Sequence, residues 1–293
     1  MLALSLPRAS PADYLELTKP RIVALVLGTV AAGFFAAGAR SAADILLLAH
    51  TLVGSALVAG GTNALNQLFE RDVDARMQRT ARRPLPSGRL RPGEAAVFAW
   101  GAGLTGIVYL ALLVNVTTAV LAAATLASYV FLYTPLKRRS SISTLIGAVP
   151  GALPMVGGWA AAGVPLGAPA WSLFWILFLW QLPHFLALSW LYRDDYARAG
   201  LQMLSVDDPD GHWTFKQATL YALALVPASL APAMVGVAGT AYFAGALGLS
   251  VVYLAGAGLA AAAPSARTAR RLFLISLVYL PALLALLIAD RTR

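Results

Sequence analysis

Long apolar blocks alternate with short polar segments along the whole chain. Nine such blocks can be counted. Each has the length that an α-helix needs to cross a hydrocarbon layer about 30 Å thick, and helices satisfy every backbone polar group within the segment. The pattern therefore predicts nine membrane-spanning helices, at about 22–38, 44–65, 94–114, 117–134, 142–162, 171–191, 217–236, 240–262 and 272–289.

The composition supports this interpretation. Hydrophobic residues make up 59% of the 293 positions and charged residues 12%, with a mean hydropathy of +0.72, whereas soluble domains carry about 25% charged residues. A soluble enzyme and a disordered chain are excluded. The absence of cysteine excludes disulfides, thiol catalysis and iron–sulfur ligation. We expect an all-α polytopic membrane protein, a bundle of nine helices that forms one domain over 1–293.

The charges predict an orientation. Lys and Arg outnumber Asp and Glu by 22 to 13, giving a net charge of +9. If the N-terminus is cytoplasmic, nineteen of the 22 basic residues lie inside, and only Arg40, Arg291 and Arg293 lie outside. The positive-inside rule explains this asymmetry better than a nucleic-acid partner does. The sequence thus predicts a bacterial-type inner-membrane protein with a short cytoplasmic segment 1–21, a C-terminus outside and chemistry at the cytoplasmic end.

A first polar cluster follows the second apolar block. If the helix continues, Asn66, Glu70 and Asp74 are spaced by four residues and share one face. Their oxygen atoms suit a hard cation such as Mg²⁺, which proteins often share with substrate phosphates. A solvated membrane-interface loop is the alternative. Basic residues downstream are candidates for binding phosphate oxygens, namely Arg79, Arg82, Arg83 and Arg89.

Two further cytoplasmic segments carry candidate residues. In Tyr192–Tyr196, Asp194 and Asp195 are potential metal ligands and Arg193 a potential phosphate ligand. After the fourth block, Lys137 and Arg138 would neutralise a departing diphosphate, and Tyr133 would stabilise a cation. Each segment taken alone is also consistent with an ordinary charged loop.

Histidines and a late acidic run complete the candidates. His184 lies within a predicted span, and we consider three roles for it: haem-iron ligand, proton carrier or packing residue. His50 and His212 are interpreted as structural. The run 207–211 is expected to form a hydrophilic turn without a chemical role.

These motifs resemble the intramembrane UbiA-type prenyltransferases, and within them the haem O synthase family. The similarity extends over nearly the whole chain. It rests on Leu17–Arg21, the Asn66-x3-Glu70-x3-Asp74 motif, Met77–Thr80, Tyr133–Lys137 with Gly147–Trp159, Trp180–Phe185, Tyr192–Tyr196 and Arg271–Leu280. The chain departs from the superfamily pattern at Glu70, where Asp is more common. It also has Leu191 where an Asp-x3-Asp form of the second motif would place its first carboxylate.

The resemblance implies the reaction and its site. It implies farnesyl diphosphate and haem B as substrates and haem O and diphosphate as products, with Mg²⁺ held by Asn66, Glu70, Asp74 and Asp195. A downstream haem A synthase is a possible partner. Two alternatives remain at this stage: a related enzyme that prenylates an aromatic quinone or chlorin precursor, and a membrane transporter.

Overall fold

The computed structural model describes residues 9–38 and 41–292 of the chain. Three charges counted toward the orientation, Arg8, Arg40 and Arg293, lie outside the described residues. The described part is built from helices: α1 Pro11–Thr18, α2 Pro20–Ala36, α3 Ala42–Asp74, α4 Pro92–Leu113, α5 Val116–Leu136, α6 Ser143–Ala161, α7 Ala168–Leu191, α8 Arg193–Ala199, α9 Leu204–Asp207, α10 His212–Met234, α11 Thr240–Ala262 and α12 Ala266–Ala289.

The predicted all-α membrane fold is confirmed. Within the described ranges, eight helices are long and apolar enough to cross a membrane, and α1 with α2 forms a ninth candidate if this bent pair is one span. The bend of 47° falls at Lys19, a residue in the left-handed conformation (φ 55°, ψ 65°) that precedes Pro20. Such a conformation in a residue other than glycine costs about 1–3 kcal/mol and persists only where surrounding contacts fix it.

Helix α3 extends well past the apolar block that predicted it. It begins at a capping box in which Asp44 N–H donates to Ser41 Oγ at 3.1 Å, and it ends at Asp74. Its 33 residues correspond to about 50 Å at about 1.5 Å per residue, more than the hydrocarbon thickness requires. Helix α3 therefore continues beyond the apolar block, as the shared face of Asn66, Glu70 and Asp74 requires.

Two apolar cores lie side by side in the bundle. One joins α1, α3, α4 and α5, and the other joins α2, α6, α7, α10, α11 and α12. Glycines allow the closest helix crossing: a Cβ at Gly33 would overlap the Met155 carbonyl oxygen, and one at Gly158 would overlap that of Val30. Helices α2 and α6 thus pack backbone to backbone, which small residues allow between membrane helices.

Three connections meet at one end of the bundle. The α3–α4 connection places Val73 and Met77 against Ala199 and Leu201, which follow α7. Arg138, after α5, donates to the Phe69 carbonyl oxygen of α3 at 3.2 Å. The two charged clusters and the Tyr133–Lys137 segment consequently share this end of the molecule.

The acidic run 207–211 is only in part the expected turn: Asp207 ends helix α9, and the turn itself lies at Pro209 and Asp210. Asp208 in this run is buried and accepts a hydrogen bond of 2.7 Å from the Thr214 backbone N–H, in the first turn of α10. This contact gives Asp208 a structural role at the start of that helix.

Candidate active site

The first polar cluster forms a buried strip on α3. Asn66, Glu70 and Asp74 are 2%, 6% and 1% exposed. Between and beside them, Asn63 Nδ2 donates to the Thr18 carbonyl oxygen at 3.0 Å and Gln67 Nε2 donates to that of Leu17 at 2.8 Å. The end of α1 is therefore held directly against the helix face that carries the cluster.

Each member of this strip contacts a cationic side chain from a different segment. Lys19 Nζ donates to Asn66 Oδ1 at 3.0 Å, Lys137 forms an ion pair with Glu70, and Arg83 Nη1 lies 2.7 Å from Asp74 Oδ2. Buried carboxylates require such partners because burial removes their hydration. Burial has the largest single effect and would lower the pKa of Lys137, but the Glu70 carboxylate together with Tyr129 and Tyr196 outweighs it, and the pKa lies above the usual lysine value. Lys137 is therefore charged at neutral pH.

A π-helical turn in α5 presents aromatic rings beside this strip. It covers Ser128–Tyr133, and it carries Tyr129 and Tyr133, whose ring centroids are 4.9 Å apart in an edge-to-face arrangement. Lys137 Nζ lies 4.7 Å from the Tyr133 ring centroid. Gly147 makes room for that ring, since a Cβ there would lie 2.6 Å from it. An aromatic face thus adjoins the Lys137–Glu70 pair.

The second acidic cluster contacts the loop that follows Asp74. Asp195 is buried, pairs with Arg198 and accepts a hydrogen bond of 3.4 Å from the Gln78 backbone N–H. Asp194 is exposed on the same short helix α8. In the described part of the chain, no three carboxylate or imidazole groups lie together as ligands for one metal ion. Mg²⁺ commonly uses one or two protein carboxylates together with substrate phosphates.

The donor set of the α3 strip fits such an ion. Asp74 Oδ1 is buried and has no hydrogen-bond partner among the described residues. The available ligands are carboxylate and amide oxygens, which hard divalent cations prefer. A buried carboxylate oxygen left without a donor is a suitable position for a metal ion.

The basic residues predicted to bind phosphate have different surroundings. Arg83 contacts the strip through its ion pair with Asp74. Arg79 Cζ lies 5.3 Å from the Tyr192 ring centroid, and Arg193 Cζ lies 4.2 Å from the Trp190 ring centroid. Arg82 and Arg138 are exposed at the same end. Arg89, which the sequence also offered as a phosphate ligand, instead pairs with Asp13 and Glu16 of α1.

His184 lies elsewhere, between α7 and α12. Its Nδ1 is 2.7 Å from Ser276 Oγ, and its ring packs against Trp180 and Phe273 with centroid distances of 5.2 and 4.8 Å. With Nδ1 bonded to Ser276, Nε2 is the nitrogen that remains for another partner. The two histidines interpreted as structural have local contacts: His50 Nδ1 is 2.8 Å from Tyr109 Oη, and the His212 ring packs against Trp213.

Sequence reasoning missed three residues of this site. Lys19 contacts Asn66, Thr134 accepts a hydrogen bond of 3.2 Å from Asn66 Nδ2, and Tyr129 packs against Tyr133. Lys19 and Thr134 belong to motifs that carried the family resemblance, but no role was given to them. Tyr129 precedes Tyr133 by about one turn, and this spacing is the signal that could have identified it.

Comparisons with known proteins identify the family. The model of the UbiA prenyltransferase family matches residues 26–286. The chain belongs to the UbiA prenyltransferase family. It is 47% identical to a protoheme IX farnesyltransferase of Solibacter usitatus, over 95% of this chain and 98% of that protein. It is 44% identical to one of Koribacter versatilis, over 99% of this chain and 97% of that protein.

Solved structures agree in fold. A digeranylgeranylglyceryl phosphate synthase aligns with a TM-score of 0.79 at 18% identity, covering 95% of this chain and 97% of that one. A UbiA homolog from Archaeoglobus fulgidus bound to GPP and Mg²⁺ aligns with a TM-score of 0.64 at 15% identity, covering 94% and 99%. As a UbiA-family member the chain is a prenyltransferase, and the transporter alternative is wrong.

Proposed function

We propose that this UbiA-family prenyltransferase transfers the farnesyl group of farnesyl diphosphate to a vinyl group of haem B, with addition of water, to give haem O and diphosphate. The observation that carries the proposal is the buried strip Asn66–Glu70–Asp74 opposed by Lys19, Arg83 and Lys137. Curated relatives named for the protoheme substrate support the choice of acceptor. Such a strip suits a diphosphate that brings both negative charge and a metal ion.

Mg²⁺ would be held by Asn66, Glu70 and Asp74, with Asp195 or Asp194 as ligands from the second cluster. The Archaeoglobus homolog bound to GPP and Mg²⁺ supports the use of a divalent metal ion. Bound there, the ion would neutralise negative charge that develops on the leaving diphosphate. The chain's own cations exchange partners in this scheme: Lys137 and Arg83 move from carboxylates to phosphate oxygens. Four further arginines are the candidates for the outer phosphate contacts: Arg79, Arg82, Arg138 and Arg193.

The organic step breaks the bond between the allylic carbon and the diphosphate oxygen, whose electrons leave with diphosphate. The farnesyl cation that remains is stabilised by the face of Tyr133, beside Lys137 and Tyr129. The vinyl π-electrons then form the new carbon–carbon bond. Water adds to the resulting cation next to the haem ring and loses a proton, which leaves a hydroxyl group.

Haem B would bind near His184. Ser276 Oγ gives its proton to the Phe273 carbonyl oxygen, so His184 Nδ1–H donates to Ser276 Oγ and fixes the imidazole, which the rings of Trp180 and Phe273 flank. Nε2 is then available as an iron ligand. The farnesyl chain and the haem ring are apolar, so lateral entry from the bilayer suits both substrates, and diphosphate would leave to the cytoplasm. A haem A synthase that takes haem O directly is the partner that fits this product.

The decisive experiment replaces Glu70 with Gln and Asp74 with Asn. Each change removes a charge that the metal and the leaving group require, and we expect at least about a hundredfold loss of turnover. Asp72→Asn is the matched control, because this carboxylate is on the same helix with a side chain 70% exposed. Haem O is measured by mass after incubation of purified protein with farnesyl diphosphate, haem B and Mg²⁺.

A parallel incubation replaces haem B with 4-hydroxybenzoate. We expect product only with haem B. Prenylated benzoate without haem O would contradict the acceptor, and near wild-type turnover in Asp74→Asn or Glu70→Gln would contradict the metal site.

A further inference from the structure

Thr134 connects two helices at the edge of the α3 strip. It is 3% exposed, and its hydroxyl oxygen lies 2.8 Å from the Tyr129 carbonyl oxygen and 3.2 Å from Asn66 Nδ2. Other threonines in these helices make a simpler contact. Thr51, Thr62 and Thr125 each donate to the carbonyl oxygen four residues earlier. Thr134 differs because it reaches back five residues and also accepts from another helix.

The hydrogen bonds of Thr134 fix the orientation of the Asn66 amide. A hydroxyl has one proton to donate, and Thr134 gives it to the Tyr129 carbonyl oxygen, which can only accept. The partner from Asn66 must then be the NH₂ group. On the other side of the amide, the Lys19 ammonium can only donate, and it lies 3.0 Å from Asn66 Oδ1. Both contacts require the same orientation, with the amide oxygen turned away from α5.

The π-helical turn explains why Thr134 can do this. Pro135 has no backbone N–H and its ring crowds the preceding turn, and the helix widens at Ser128–Tyr133, directly before it. Both the backbone N–H and the hydroxyl of Thr134 donate to the Tyr129 carbonyl oxygen. Wide turns of this kind are frequent at functional sites. Thr134 therefore joins the turn that carries Tyr129 and Tyr133 to the helix that carries Asn66.

We propose that Thr134 is a positioning residue, which holds the Asn66 amide with its oxygen toward the metal site and so raises the affinity of that site for a divalent cation. The inference rests on the proposed function, because it takes Asn66 as a metal ligand. Partners in the second coordination sphere orient ligands in this way, and their loss typically lowers metal affinity by about 10–100-fold.

Binding of Mn²⁺ tests the proposal without relying on turnover. Purified protein is titrated with Mn²⁺ in the presence of inorganic pyrophosphate, and bound Mn²⁺ is measured by electron paramagnetic resonance. We expect Thr134→Val to weaken binding about tenfold or more, and Thr134→Ser, which keeps the hydroxyl, to bind like the wild type. Thr125→Val is the matched control, since that hydroxyl contacts only its own helix in the hydrogen bond of 2.8 Å to Leu121.

A second background separates positioning from a general effect on folding. In Asn66→Asp both side-chain oxygens are equivalent, so orientation no longer matters, and Thr134→Val should then change Mn²⁺ affinity by less than about twofold. Thr134→Ala takes the place of the valine variant if that protein does not insert.

Two results would overturn the inference, and they are distinguishable. Wild-type affinity in Thr134→Val, or an equal loss in both backgrounds, would remove the positioning role and leave the metal site intact. Absence of Mn²⁺ binding in the wild type would contradict the metal site of the proposed function, and the role of Thr134 with it.

Discussion

His184 lies at the end of a chain of hydrogen bonds that joins three helices. Ser276 Oγ fixes Nδ1 at 2.7 Å, and the neighbouring Trp180 Nε1 donates to the Ser276 carbonyl oxygen at 2.9 Å. Tyr253 Oη donates to the Trp180 carbonyl oxygen at 3.0 Å. A chain of hydrogen bonds thus extends from the ring into α11 and α12, and it limits rotation of the imidazole.

The predicted consequence concerns haem binding. His184→Ala should weaken haem B binding about tenfold or more, because it removes the proposed iron ligand, and Ser276→Ala should weaken it less. Titration of purified protein, followed by the Soret band, measures both affinity and coordination. His50→Ala is the control, since His50 contacts Tyr109 and has no part in this cluster. An unchanged Soret spectrum and affinity in His184→Ala would exclude ligation.

Among single residues, the sequence predicted those that helical periodicity alone brings together. Asn66, Glu70 and Asp74 are spaced by four on one helix, and a helix brings them together whatever else the chain does. Lys19 and Thr134 reach the same site from 47 and 68 residues away along the chain. Their positions depend on the packing of α2 and α5 against α3, which a local pattern does not contain.

At the scale of elements, the bounds of the helices differ from the apolar blocks for a physical reason. Hydropathy predicts where a segment meets lipid, whereas a helix continues as long as its backbone hydrogen bonds do. Helix α12 begins at Ala266, before Arg267, Arg270 and Arg271, although its apolar block begins near 272. The widening in α5 was also missed, because Pro135 indicates a disturbance but not its form.

The loop between α3 and α4 is fastened to α1 by one arginine. Arg89 pairs with Asp13 and Glu16 of α1 and donates to the Arg82 carbonyl oxygen at 2.9 Å. The same loop carries Arg83, which contacts Asp74. Arg89 therefore links the position of the loop that carries Arg83 to helix α1.

Removal of this link should loosen the loop. We expect Arg89→Ala to be cleaved by trypsin at 75–91 about threefold to tenfold faster, since partly exposed ion pairs are individually weak but the four contacts of Arg89, with Asp13, Glu16, the Arg82 carbonyl oxygen and Ser87, are lost together. The Michaelis constant for farnesyl diphosphate should rise more than the turnover number falls. Arg91→Ala, a change at an exposed position two residues on, is the control. Equal cleavage rates in both variants would contradict this role.

At the scale of the whole molecule, three segments converge at one end of the bundle, which we call the active end. The end of α3, the segment after α5 and the segment after α7 contact one another through Arg138 and the Phe69 carbonyl oxygen, and through Gln78 and Asp195. The charge asymmetry predicts that this end faces the cytoplasm. The reaction scheme requires that this end faces an aqueous phase, because diphosphate is released beside the cluster.

The absence of cysteine makes the orientation directly testable. Single cysteines are placed at Ser87 and Ala263, exposed positions in connections at the active end, and at Pro165, an exposed position between α6 and α7 at the opposite end. A membrane-impermeant maleimide applied to spheroplasts should label Pro165→Cys at once and the other two only after permeabilisation. Helices α3 and α6 begin at opposite ends of the bundle, so the acidic strip at the end of α3 lies on the side where α6 begins. Immediate labelling of Ser87→Cys and Ala263→Cys, with Pro165→Cys labelled only after permeabilisation, would therefore place the acidic strip outside the cell. It would contradict the predicted topology while leaving the geometry of the site unchanged.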